Sequence, residues 1–99
     1  MSSFSELIKG KTPVLVDFYA EWCGPCKVMK PELEELKSVM GDKAIIVKVD
    51  VDRNPAAAHH YQVRGVPTLV IFKNGNVVWR QSGVVRAAEL RGILNRFVA

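Results

Sequence analysis

The sequence predicts an α/β fold, a mixed four-stranded sheet with helices on both faces. Three observations carry it. Two β-branched runs, Val14 to Tyr19 and Ala44 to Val51, are apolar almost throughout, as strands buried on both faces are, and a helix-length segment separates them. Asn74-Gly75 stands between two further β-rich runs, which is the strongest short-range hairpin signal. Apolar residues recur at helical spacing in two places: Met29, Leu33, Leu36 and Met40, then Leu90, Ile93, Leu94, Phe97 and Val98.

The elements follow in chain order. Ser3 and Glu6 are spaced as a capping box for a short helix over Phe4 to Lys9, which Gly10 ends. Val14 to Tyr19 is the first strand, interrupted only by Asp17. A helix begins at Pro25 and reaches about Met40. Pro31 is expected to kink it and Gly41 to close it. Ala44 to Val51 is the second strand, parallel to the first through a right-handed crossover. Asn54-Pro55 opens a short helix over Ala56 to Tyr61. Thr68 to Phe72 and Val77 to Gln81 then form an antiparallel hairpin around Lys73-Asn74-Gly75-Asn76, and a C-terminal helix completes the chain.

The length of 99 residues suits one domain, residues 1–99, and is too short for two. Hydrophobic residues make up 48% of the chain, enough for a core that needs no covalent staple. The net charge of +4 is scattered from Lys9 to Arg96 without a basic block or interleaved aromatics, so no nucleic-acid partner is expected. No apolar run approaches the roughly 20 residues of a membrane helix. The first residues lack the basic start and apolar run of a secretory signal. The expected location is therefore cytoplasmic, where thiols are kept reduced.

There are two cysteines, Cys23 and Cys26, with two residues between them. A bridge that short closes too little chain to add much stability, so the pair reads as chemistry. The segment Trp22-Cys23-Gly24-Pro25-Cys26-Lys27 follows the first strand and opens the long helix. At a helix N-terminus the free N–H groups and the helix dipole favour an anion. A thiolate there has a lowered pKa and is the active nucleophile, which assigns attack to Cys23. Cys26 lies one turn along the same face, within reach of the first sulfur, and is the expected resolving thiol. Pro25 suits the first helical turn, where its missing N–H costs nothing.

Cys-x-x-Cys is also half of a zinc site, and His59 and His60 are available. Adjacent histidines diverge, whereas metal-ligand pairs are usually spaced apart, so both read as surface helix residues and no metal is expected. Asp17 is a carboxylate in an apolar strand. Buried, its pKa would rise and it would accept the proton of Cys26, with Lys48 on the neighbouring strand as its partner. The other reading places Asp17 at a solvated edge and Lys48 on the surface, and the spacing alone leaves both open. By composition, Pro67 of Val66-Pro67-Thr68 is an ordinary trans turn proline.

Phe18-Tyr19-Ala20-Glu21-Trp22-Cys23-Gly24-Pro25-Cys26-Lys27 resembles the active-site stretch of the thioredoxin family. Pro31 resembles that family's helix-kinking proline, Lys48-Val49-Asp50-Val51-Asp52 its central strand end, Arg64-Gly65-Val66-Pro67-Thr68 its cis-proline loop, Lys73-Asn74-Gly75 its hairpin and Gly83 the glycine at its binding rim. The resemblance runs from Pro13 to the C-terminus and implies a thioredoxin fold. It implies a protein disulfide reductase, with Gly24-Pro25 as the pair of a reducing member. It implies that Asp17 is the buried acid, that Pro67 is cis, and that no bound cofactor is used. Thioredoxin reductase as electron donor, disulfide-bearing clients and a monomeric state are the implied partnerships. Trp22, Gly24, Pro25, Gly65, Val66, Pro67 and Gly83 are the expected docking rim, where an extended peptide pairs with the backbone of Val66. The alternatives are a non-catalytic adaptor and a dedicated reductant of one client enzyme. One departure stands out: no strand precedes the first helix, so the second strand is expected at a sheet edge.

Overall fold

The computed structural model describes residues 4–98. Ser3, the expected first helix cap, lies outside the described residues. Helix α1 spans Phe4–Leu7 and continues as a turn through Ile8 and Lys9, whose N–H groups donate to Phe4 O and Glu6 O at 3.2 Å. Strand β1 (Val14–Tyr19) leads into α2 (Gly24–Met40), and β2 (Ile45–Asp50) follows. Then come α3 (Pro55–His60), β3 (Thr68–Lys73), β4 (Asn76–Ser82) and α4 (Ala87–Asn95).

The sheet order is β2-β1-β3-β4, with β1 and β2 parallel and the other two pairs antiparallel. The mixed sheet and its edge strand β2 agree with the sequence. The hairpin loop is the two-residue Asn74-Gly75, with φ of 54° and 83°. Positive φ at both positions gives the turn whose twist matches a hairpin, and Asn followed by Gly is the pair that tolerates it. The strands therefore run to Lys73 and restart at Asn76, one residue nearer the turn on each side than the apolar pattern implies.

Two apolar layers flank the sheet. Leu15, Leu69 and Ile71 pack with Met29, Leu33, Leu36 and Met40 of α2 and Leu90 and Leu94 of α4. On the other face Val14, Val16, Phe18, Val70 and Phe72 meet Ile8, with Phe4, Leu7, Tyr61 and Val63 against them. Alternation along β1 and β3 divides these sets, because successive strand side chains point to opposite faces. Helix α2 is continuous through Pro31, where one backbone hydrogen bond is lost, and its buried residues follow the predicted stripe. Phe97 and Val98 lie beyond the end of α4 yet remain packed on the first layer. Leu36 is fully buried against β1 and β3 residues. Leu36→Ala should lower unfolding free energy by about 2–5 kcal/mol, readable as a shifted urea midpoint.

Candidate active site

The C-terminal end of β1, the start of α2 and the entry to β3 converge at one end of the sheet. Cys23 is the N-cap of α2, with extended φ and ψ of −88° and 116°. Its Sγ accepts a hydrogen bond from the Cys26 N–H at 3.1 Å, a bond that strengthens when sulfur carries negative charge. Pro25 occupies the first turn without removing a needed donor. The two sulfurs are joined as a disulfide, S–S 2.20 Å with Cα atoms 5.3 Å apart, so the structure holds the oxidised form. Exposure does not separate the two residues, at 3% for Cys23 and 5% for Cys26. What separates them is the cap position, which only Cys23 occupies.

The loop before β3 forms the opposite wall. The Val66–Pro67 peptide is cis, as the family resemblance implies and against the composition-based reading. Val66 O lies 3.6 Å from Cys23 Sγ. A disulfide sulfur has no hydrogen to donate, so this contact becomes a hydrogen bond only in the thiol form. Thr68 Oγ1 donates to Gly65 O at 2.6 Å, and the Gly83 N–H donates to Pro67 O at 2.8 Å. These bonds hold the loop against the end of β4. Trp22 is 72% exposed, and its indole N–H donates to Asp52 Oδ2 at 2.8 Å. A shallow depression of 130 Å³ beside the disulfide is lined by Trp22, Val51, Val63, Arg64, Gly65 and Val66. Small-molecule sites usually offer about 300 Å³ or more, so this shape suits a side chain of a docked polypeptide.

Asp17 is fully buried, and neither carboxylate oxygen has a hydrogen-bond partner among the described residues. It lies two residues from Leu15 on β1 and so shares that residue's face of the sheet, the one that α2 covers with Cys26 and Met29. Burial pushes its pKa up to about 6, and the positive charge of Lys48 opposes part of that rise. The solvated-edge reading of Asp17 is therefore overturned. Lys48 pairs with Asp17 in strand register, but its side chain is exposed and its Nζ sits 4.3 Å from the centre of the Tyr19 ring. It acts on Asp17 through space, and no ion pair joins them among the described residues. A second depression of 350 Å³, lined by Cys26, Lys27, Lys30, Lys48, Glu21, Tyr19 and Ala20, opens on the Cys26 side. His59 and His60 are exposed on α3, with the His60 ring edge-on to Tyr61.

Sequence reasoning missed Asp52, Val51, Val63 and Arg64 as parts of this surface. Each comes from a loop or strand end that only the tertiary fold brings beside Trp22. Asp52 falls in a stretch whose motif was visible, but its bond to the indole is not deducible from spacing.

A sequence model of the thioredoxin family matches residues 1–96. A thioredoxin-like protein of Synechocystis is 48% identical over 98 residues, covering 98% of this chain and 93% of that protein. The thioredoxin of Rhodospirillum rubrum is 46% identical over 90 residues, 90% of this chain and 86% of its own length. Among solved structures, thioredoxin-2 of the malaria parasite superposes with a TM-score of 0.84 at 27% identity, covering 86% of this chain and 82% of that one. The cysteine pair at the start of α2 thus sits in a chain matched almost end to end, and the chain belongs to the thioredoxin family of thiol–disulfide oxidoreductases.

Proposed function

We propose that this protein reduces protein disulfides with Cys23 as the attacking thiolate and Cys26 as the resolving thiol. The observation that carries the assignment is the N-cap bond from the Cys26 N–H to Cys23 Sγ, together with the start of the α2 dipole beneath it. In the first step Cys23 S⁻ attacks one sulfur of a client disulfide. One client thiolate leaves and a mixed disulfide forms. Cys26 then loses its proton, attacks Cys23 Sγ and releases the second client thiolate. Two electrons pass to the client, and the protein is left as the Cys23–Cys26 disulfide. Asp17 is the nearby proton acceptor for Cys26, and Lys48 tempers its pKa.

The client docks as an extended segment against Val66, whose carbonyl lies beside Cys23, with Trp22, Gly24, Pro25, Gly65, Pro67 and Gly83 around it. Main-chain pairing is blind to side-chain identity, which suits a reductant of many clients. Resetting the pair requires a two-electron donor, for which thioredoxin reductase is the proposed partner. The cytoplasm is the proposed compartment, since a reducing environment favours the dithiol. No helix of the described residues is long and apolar enough to cross a membrane.

Insulin reduction with dithiothreitol as electron source tests the reading. The wild-type chain should speed precipitation of the freed insulin B chain well above the dithiothreitol background, and Cys23→Ser should not. A wild-type chain no faster than background would refute it and leave a binding role.

A further inference from the structure

Strand β2 ends the sheet, and among the described residues no strand pairs with its outer side. The Ile45 N–H donates to Pro13 O and the Val51 N–H to Tyr19 O, both at 2.9 Å toward β1. Alternation then turns the backbone N–H and C=O of Ile46 and Lys48, and the N–H of Asp50, away from the sheet. The Asp50 carbonyl is already engaged by Asn54. Edge strands are commonly blunted by proline, by shortness or by several charges. This one is six residues of Ile-Ile-Val-Lys-Val-Asp, with Lys48 as its cation.

Beside that edge runs a groove of 490 Å³ between α2 and β2. Its floor includes Leu33 and Ile46, and its rim carries Lys30, Lys37 and Lys48 against the single carboxylate of Glu34. Lys30 and Lys48 also line the depression that opens on Cys26, so one basic strip runs from the edge to the active-site end. We propose that the outer edge of β2 docks an extended acidic segment of a partner protein, added as a fifth strand with its carboxylates against Lys30, Lys37 and Lys48. The open backbone groups supply affinity, and the lysines supply selection. The same cations discriminate against a second copy of this chain. Two β2 edges related by a two-fold axis would bring one basic rim against another, and like charges across an interface oppose pairing.

The test uses the full chain in its oxidised, ¹⁵N-labelled form, so that thiol exchange plays no part. The probe is a synthetic peptide of about eight residues, long enough to span β2, with valine and glutamate alternating. Its counterpart carries lysine for glutamate. Expected on adding the acidic peptide are shifts of the Ile46, Lys48 and Asp50 amides. Hydrogen exchange at Ile46 and Lys48 should slow about tenfold, and binding should weaken about tenfold on raising salt to about 0.5 M. The double variant Lys30→Glu/Lys37→Glu, checked for fold by circular dichroism, should bind the acidic peptide at least about tenfold more weakly. Equal binding of the lysine peptide, no salt dependence, or shifts centred on Trp22 and Val66 would each overturn the proposal. Protection of the β2 amides that rises with protein concentration and no peptide would assign the edge to a second copy and overturn it as well.

Discussion

Cys26→Ser should stop the reaction halfway and hold client proteins as stable mixed disulfides on Cys23, whereas Cys23→Ser should hold none. The reason is local. Sγ of residue 23 sits at the N-cap of α2, where it accepts the Cys26 N–H at 3.1 Å and faces the positive end of the helix dipole. Those interactions favour negative charge at that sulfur, as an attacking thiolate requires. The Cys26 sulfur lies inside the first turn, without the cap position, and in the proposed mechanism it acts only after the mixed disulfide has formed. Turnover in the insulin assay should fall to the dithiothreitol background in both variants, so activity alone does not distinguish them. Trapping does. Non-reducing electrophoresis of a lysate passed over each variant should show covalent adducts for Cys26→Ser alone. Equal trapping by both variants would reverse or remove the assignment.

Asp17→Asn should stabilise the fold at neutral pH by up to about 3 kcal/mol and leave it nearly unchanged near pH 3.5. The folded-state pKa of Asp17 stands at about 6, against 3.8 for the unperturbed group. Burial without a partner causes that rise. Between these two values the folded chain binds more protons than the unfolded one, so stability falls as pH rises through the window. Below about 3.8 both states hold a protonated carboxyl and nothing is lost. Above about 6 both are ionised and the full penalty is present. Asn keeps the buried polar group without the charge, so the difference between the two proteins isolates the ionisation. Urea unfolding at pH 3.5, 5 and 7.5 reads it directly. A stability difference that stays constant across that range would show that Asp17 is not the titrating group. The same substitution should slow client reduction at neutral pH, because the proposed proton acceptor for Cys26 is gone. Unchanged kinetics from pH 6 to 9 would remove Asp17 from the proton path while leaving the stability argument intact.

Much of this was legible in the chain because the signals are local. The Asn74-Gly75 turn needs two residues at positive φ, and the pair names itself. The stripe Met29, Leu33, Leu36 and Met40 buries one face of α2 as its spacing requires. Cys23-Gly24-Pro25-Cys26 carries its own geometry, since an N-cap followed by proline brings the second sulfur within one turn. The end of α4 was less clear: Phe97 and Val98 continue the apolar pattern past Asn95, where helix geometry stops but packing on the core does not.

The sequence by itself determined the element order, the mixed sheet, the cysteine pair's place at the start of a helix and the kinship that its motifs express. Each depends on residues within a few positions of one another, where backbone propensity and periodicity act without a partner. Only the tertiary structure decided that Asp17 is sealed beneath α2, that Lys48 rests over Tyr19 instead of meeting that carboxylate, and that Asp52 anchors Trp22. It alone set Val66 O 3.6 Å from Cys23 Sγ, across 43 residues of chain. Desolvation and long-range hydrogen bonds are properties of what surrounds a group in space. A strand with Asp in its middle looks the same on paper whether that Asp meets water or the underside of a helix, and only packing distinguishes the two.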